Sequence, residues 1–138
     1  MTNTSNEYGV GDASYNAAGG LEGITALVDA FYDAMEMLPE AATIRAMHRS
    51  DLADSRVKLR YFLSGWLGGP KLYSEHFGGI NIPSAHQHLP IGKAEAEAWL
   101  FCMEKAIELQ PYSPSFKTYL ITQLRVPAER ITQVCART

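Results

Sequence analysis

Apolar residues along this 138-residue chain recur at helical spacing and nowhere alternate in the strand pattern. Ile24, Leu27, Val28, Phe31, Tyr32 and Met35 fall on one face of a helix predicted over 21–38. Pro39 ends it, because proline lacks the N–H that would continue the ladder. Upstream, Asp12 is placed to cap a short helical turn through Ala18, closed by Gly19-Gly20. Residues 40–48 read as a short helix carrying Ile44 and Met47. Ser50 or Asp51 caps the next, over about 52–67, with a stripe of Leu52, Leu59, Phe62, Leu63 and Trp66 and a stop at Gly68-Gly69-Pro70. A helix over 93–109 sets Trp99, Cys102, Met103 and Ala106 at i, i+3, i+4 and i+7, with Glu95 and Glu97 near its positive end. Ser113-Pro114 opens a helix over about 114–125 that carries Phe116, Tyr119, Leu120 and Leu124. Pro127 is expected to interrupt it, leaving 128–136 as a shorter segment.

Residues 70–92 break the pattern. Pro70, Pro83 and Pro90 with Gly78, Gly79 and Gly92 punctuate a stretch with few periodic apolar positions, which predicts a long ordered loop with at most one or two helical turns. A loop of that length inside a compact domain usually serves a function. The sum is an all-α fold: one domain over 11–138, behind a mobile N-terminal extension, 1–10.

Composition narrows the partners. A 46% hydrophobic chain of this length builds one core. Twelve basic against 15 acidic residues, a formal charge of −3, give no electrostatic reason to expect nucleic acid. No apolar run reaches membrane-span length, and the first residues lack the basic start and apolar stretch of a secretory leader. The expectation is a cytoplasmic protein with no membrane partner. Cys102 and Cys135 are not a short-spaced metal pair and are expected as thiols.

The candidate chemistry lies in and around the loop. His86 and His88 stand in Ala85-His86-Gln87-His88-Leu89-Pro90. Two surface histidines are the plain alternative, and no His/Cys/Asp/Glu set at zinc spacing lies nearby. A lone histidine ligand suits a cofactor that brings its other ligands with it, as haem does. Tyr32 is either a core tyrosine or a phenol whose buried O–H meets a small bound ligand. Trp99 is either core packing or a donor-only N–H for the same purpose. Ser55 interrupts the stripe between Leu52 and Leu59, as a tolerated small residue or as space beside a pocket. His48 is unremarkable by itself. No Ser/His/Asp triad, phosphate loop or carboxylate pair stands out.

Together these residues resemble the group II truncated haemoglobins over about residues 8–135. The resemblance is carried by Tyr8-Gly9-Val10-Gly11-Asp12-Ala13-Ser14-Tyr15, Ala17-Ala18-Gly19-Gly20, Leu27-Val28-Asp29-Ala30-Phe31-Tyr32 and Ile44-Arg45-Ala46-Met47-His48. It continues in Phe62-Leu63-Ser64-Gly65-Trp66-Leu67-Gly68-Gly69-Pro70, Leu72-Tyr73, Pro90-Ile91-Gly92 and Ala98-Trp99-Leu100-Phe101-Cys102-Met103. The order and spacing of the blocks make the signal. It implies a two-over-two helical sandwich around a b-type haem (iron protoporphyrin IX). Family members read histidine, three residues, then Pro-Ile-Gly, which places the proximal iron ligand at His86 and leaves His88 where relatives often have proline. The same matching puts Tyr32 and Trp99 at distal hydrogen-bonding positions, His48 at an aromatic corner position and Ser55 at the distal gate. Leu59 and Phe62 then pack on the haem, with Lys58 and Tyr73 also beside it. Ala85 stands where many relatives carry an arginine for a haem propionate, a role left open to Lys58 or Lys71. The implied function is reversible binding of O₂, CO, NO, sulfide or another small haem ligand, with oxygen transport or redox, NO or peroxide chemistry and a reductase partner. The expected assembly is a monomer or weak dimer. Two alternatives stay open: a dedicated haem peroxidase or NO dioxygenase, and a haem-free globin-like interaction module.

Overall fold

The computed structural model describes residues 8–46, 52–78 and 92–136, with side chains as far as residue 132. Met47, His48, Ser50, Asp51, His86, His88 and the Cys135 side chain lie outside the described residues. Helices are α1 (Ala13–Ala17), α2 (Gly20–Met37), a 3₁₀ turn (Pro39–Ala41), α3 (Ala42–Ala46), α4 (Ala53–Trp66), α5 (Leu72–Phe77), α6 (Lys93–Glu108) and α7 (Pro114–Ala136). No strand occurs among the described residues.

The apolar face of α2 organises the rest. Ile24, Leu27, Val28, Phe31, Tyr32 and Met35 are all buried. This face packs most extensively on α6, which pairs with α7, while α2 also pairs with α4. Two helix pairs thus stack as a two-over-two sandwich. Phe31, Leu63, Leu100, Met103, Phe116 and Leu120 are sealed in its centre. Each such side chain contributes roughly 1.5–3 kcal/mol by leaving water.

Local signals hold at several ends. Ser113 Oγ accepts from the Phe116 N–H at 3.3 Å, capping α7 ahead of Pro114. The Gly92 N–H donates to Glu95 Oε1 at 2.7 Å, so that carboxylate serves a donor that α6 leaves open, as well as its dipole. Helix α5 supplies the short turn expected after Pro70.

Four expectations need correction. Asp12 sits at the start of α1 but its side chain makes no cap hydrogen bond. Gly20 does not close a turn; it begins α2, behind Gly19. The residue capping α4 is Leu52, with no side-chain bond, in place of Ser50 or Asp51. Helix α7 runs unbroken through Pro127. A proline there forfeits the bond to the carbonyl four residues back, at a cost of about 3 kcal/mol. Phe116, Leu120, Leu124 and Ala128 lie buried along one continuous face that spans the proline, and their burial outweighs that loss.

The glycine pair after α4 is a close-approach joint. The Gly69 N–H reaches the Ser64 carbonyl at 2.8 Å, and Ser64 Oγ donates to the Pro70 carbonyl at 2.6 Å. The Tyr15 N–H meets the Leu67 carbonyl at 3.0 Å, tying α1 to the end of α4. Gly68 has φ +94°, and a Cβ there would overlap the Gly11 carbonyl oxygen; one on Gly69 would overlap the Tyr15 ring. Tyr8, inside the stretch expected to be mobile, packs on Phe116 and Tyr119 and places its hydroxyl 2.8 Å from Ser115 Oγ.

Candidate functional site

Tyr32, Ser55, Lys58, Leu59, Phe62, Tyr73 and Trp99 are among the described residues; His48 and His86 are not. Helices α2 and α6 bring Tyr32 and Trp99 onto one aromatic cluster through Phe31. The Phe31 ring lies edge-on to Tyr32 at 4.9 Å and to Trp99 at 5.2 Å between centroids. Phe31 is fully buried, so it braces two rings that each end in a polar hydrogen.

Helix α4 forms the facing wall. The Tyr32 hydroxyl donates toward the Ser55 carbonyl at 3.5 Å, the long limit of a hydrogen bond. Leu59, Phe62 and Trp66 pack against the core yet remain partly exposed, and so does Trp99. Phe62 and Trp66 stack at 6.3 Å. Between α4 and α5 lies a mainly apolar groove of about 310 Å³, lined by Tyr61, Phe62, Trp66, Lys71 and Tyr73 among others. Lys58 is directed elsewhere: its ammonium is 3.1 Å from Asp54 and 5.7 Å from the centre of the Phe77 ring. No group of three or more His, Cys, Asp or Glu that could hold a metal ion occurs among the described residues. No helix among them is long and apolar enough to cross a membrane.

One residue beside the site escaped the sequence reading. Arg56 spans from α4 to Asp29, Asp33 and Glu36 on α2, with its guanidinium carbon 5.6 Å from the centre of the Tyr32 ring. Burial works against its charge, but hydrogen bonds to Asp33 and Asp29 more than offset that and raise its pKa. The acidic stripe at i, i+4 and i+7 on α2 was the available signal.

Burial pushes the Tyr32 phenol up to about 12, with Arg56 pulling the other way. It is therefore an O–H donor across the neutral range. Burial also raises Tyr112 to about 12, and its hydroxyl donates to the Ala18 carbonyl at 3.2 Å. Cys102 is raised to about 11 by burial and then by the charge of Glu40. All three shifts favour the protonated form in the folded state, so they stabilise the fold fully below the unfolded values of 9 to 10. That stability is lost as pH climbs through the folded values of about 11 to 12. Denaturant titrations from neutral pH to about 11 should show these groups' contribution falling above about 9, by about 1 kcal/mol for Tyr32 and less than the full shift for the less covered Tyr112 and Cys102. A midpoint that stays level to pH ~11 would contradict the burial of these groups.

The bacterial-like globin family model matches residues 13–131. A group 2 truncated hemoglobin of Bacillus subtilis is 32% identical over 120 residues, 87% of this chain and 88% of that protein. Among solved structures, the group II 2-on-2 hemoglobin from Agrobacterium tumefaciens superposes with a TM-score of 0.81 at 35% identity, covering 86% of this chain and 92% of the other. The truncated oxygen-avid haemoglobin from Bacillus subtilis gives 0.78 at 31% identity, covering 86% and 97%. This chain belongs to the bacterial-like globin family and is a group II truncated haemoglobin, a membership that implies a haem cofactor and the binding of small ligands at it.

Proposed function

We propose that the protein binds O₂ or a related diatomic ligand at haem b, with His86 as the iron's protein ligand and Tyr32 and Trp99 as the distal hydrogen-bond donors. The observation that carries this reading is the joining of two polar-tipped aromatic side chains through buried Phe31 beside an apolar wall. The residues fit the cofactor. Leu59, Phe62, Trp66 and Trp99 are large apolar side chains packed on the core and left half-covered, and a flat apolar ring system against them completes their burial. Haem held there would supply an iron atom able to bind a small ligand reversibly.

The chain's own groups then set the ligand's fate. Tyr32 remains protonated and donates from α2; the Trp99 indole can only donate. Ser55 leaves little bulk at the gate, and the family matching makes His48 a candidate for a further donor. Lys71, which lines the groove, is better placed for a propionate than Lys58, held by Asp54; Tyr73 lies on the same rim. A hydrogen bond to a charged acceptor contributes on the order of 1.5–3 kcal/mol, so two donors slow release strongly. An oxygen-avid structural relative supports that direction. Slow release suits redox chemistry on NO, peroxide or sulfide, with a reductase as electron source, better than bulk transport.

Absorption spectra of the ferric, ferrous and CO-bound protein test the cofactor: a haem spectrum is expected, and none after haem reconstitution would favour the haem-free interaction module. A double-mutant cycle tests the donors. Tyr32→Phe and Trp99→Phe should each alter O₂ release about several-fold, and the double variant should differ from their product, because donors sharing one ligand re-aim. Parent O₂ and CO kinetics in both single variants would reduce the two residues to core packing.

A further inference from the structure

We infer that Arg56 is a positioning residue of the distal site: it clamps α4 to the acidic stripe of α2 and thereby sets how the Tyr32 hydroxyl is presented. The inference rests on Tyr32 acting as a ligand donor. Its geometry is independent of that reading. One guanidinium nitrogen donates to Asp29 Oδ1 at 3.0 Å and to the Asp29 carbonyl at 3.2 Å. The other donates to Asp33 Oδ1 at 3.1 Å and lies 3.7 Å from Glu36 Oε1. Asp29, Tyr32, Asp33 and Glu36 occupy i, i+3, i+4 and i+7, a single helix face, so the guanidinium crosses Tyr32 to reach its partners. It sits 5.6 Å from the centre of the Tyr32 ring and roofs the phenol on its outer side.

The second link runs through the backbone. Ser55, whose carbonyl receives the Tyr32 hydroxyl at 3.5 Å, immediately precedes Arg56. At that distance the carbonyl makes only a weak hydrogen bond, so the bond's strength depends closely on the spacing of α4 from α2. The clamp holds α4 at this separation. With the clamp released, α4 shifts against α2, and the Ser55 carbonyl and the phenol lose their register. The arginine side chain is 23% exposed and its acidic partners 47–64%, so the guanidinium is partly covered while the carboxylates face water. A lysine, with one compact charge, cannot reach both Asp29 and Asp33 as the planar fork does.

The test compares Arg56→Met and Arg56→Lys, each alone and combined with Tyr32→Phe, in haem-loaded protein. O₂ release is one readout. The other is the ring-carbon NMR signal of ¹³C-labelled Tyr32 in the CO-bound form, assigned by its loss in Tyr32→Phe. Arg56→Met should change O₂ release by about three- to tenfold and shift the Tyr32 signal. Arg56→Lys should recover only part of both effects. In the Tyr32→Phe background Arg56→Met should have no further effect on release. An equal effect in that background, or an unmoved Tyr32 signal, would reduce Arg56 to a general tie between helices and overturn the inference. If Tyr32→Phe alone leaves release unchanged, Tyr32 is no ligand donor, and the inference falls with that reading and not through its own geometry.

Discussion

His86→Ala is expected to fold and to lose stable haem binding, whereas His88→Ala keeps a normal CO-ferrous spectrum. The two histidines are chemically equivalent and two residues apart, so register decides between them. The Pro90-Ile91-Gly92 block sets that register in the family pattern, and Gly92 caps the start of α6, its N–H held by Glu95. Trp99 on α6 then carries the count back to His86 without a gap. A neutral imidazole binds iron through one ring nitrogen and keeps its proton on the other, which a nearby acceptor holds. An alanine offers neither function. His86→Gly supplied with free imidazole should regain the spectrum, and His88→Gly should need no such help. Haem retention in His86→Ala together with loss in His88→Ala would reverse the assignment.

Gly68→Ala is expected to be a severely damaging single-methyl change, combining a strained φ with a backbone clash. Its φ of +94° is a conformation that costs an L side chain about 1–2 kcal/mol. The new Cβ would also meet the Gly11 carbonyl oxygen, a backbone atom that cannot swing aside. Relief requires moving the segment that joins Gly11 to α1, and with it the bond between the Tyr15 N–H and the Leu67 carbonyl. The total should reach about 3 kcal/mol or more. Gly11→Ala is the control: its φ is also positive, at +54°, but nothing lies within 4 Å of the added atom, so it should cost only the conformational part. Chemical denaturation of the two variants measures the difference, and equal midpoints would mean that the contact across the joint does not bear on stability.

Much of the fold is legible because local periodicity and tertiary burial coincide. All six apolar positions named on α2 are buried, and on α6 Cys102, Met103 and Ala106 are buried with Ala96, Leu100 and Ile107 added, while Trp99 stays partly exposed. The failures sit where packing overrules a local rule. Pro127 breaks a helix in isolation, yet Leu124 and Ala128 on either side hold α7 to its course. Asp12 is a good capping residue by type, but its side chain is not used. Tyr32 and Trp99 stand out in the sequence because polar-tipped aromatics on apolar stripes need partners. Phe31, which joins them, looks like any core phenylalanine until two helices meet. Arg56 is illegible for the same reason, since its role depends on which helix α4 faces.

The pairing of α2 with α6 also bears on how the chain is made. The two helices start at Gly20 and Lys93, so α2 leaves the ribosome well before the surface that covers it. At synthesis rates of about 5–20 residues per second, its six buried side chains wait several seconds in the open. Until α6 emerges, Asp29, Asp33 and Glu36, exposed at the edge of that face beside Tyr32, lend the helix charge. The nascent chain is thus most in need of a chaperone's cover while its middle third is being made.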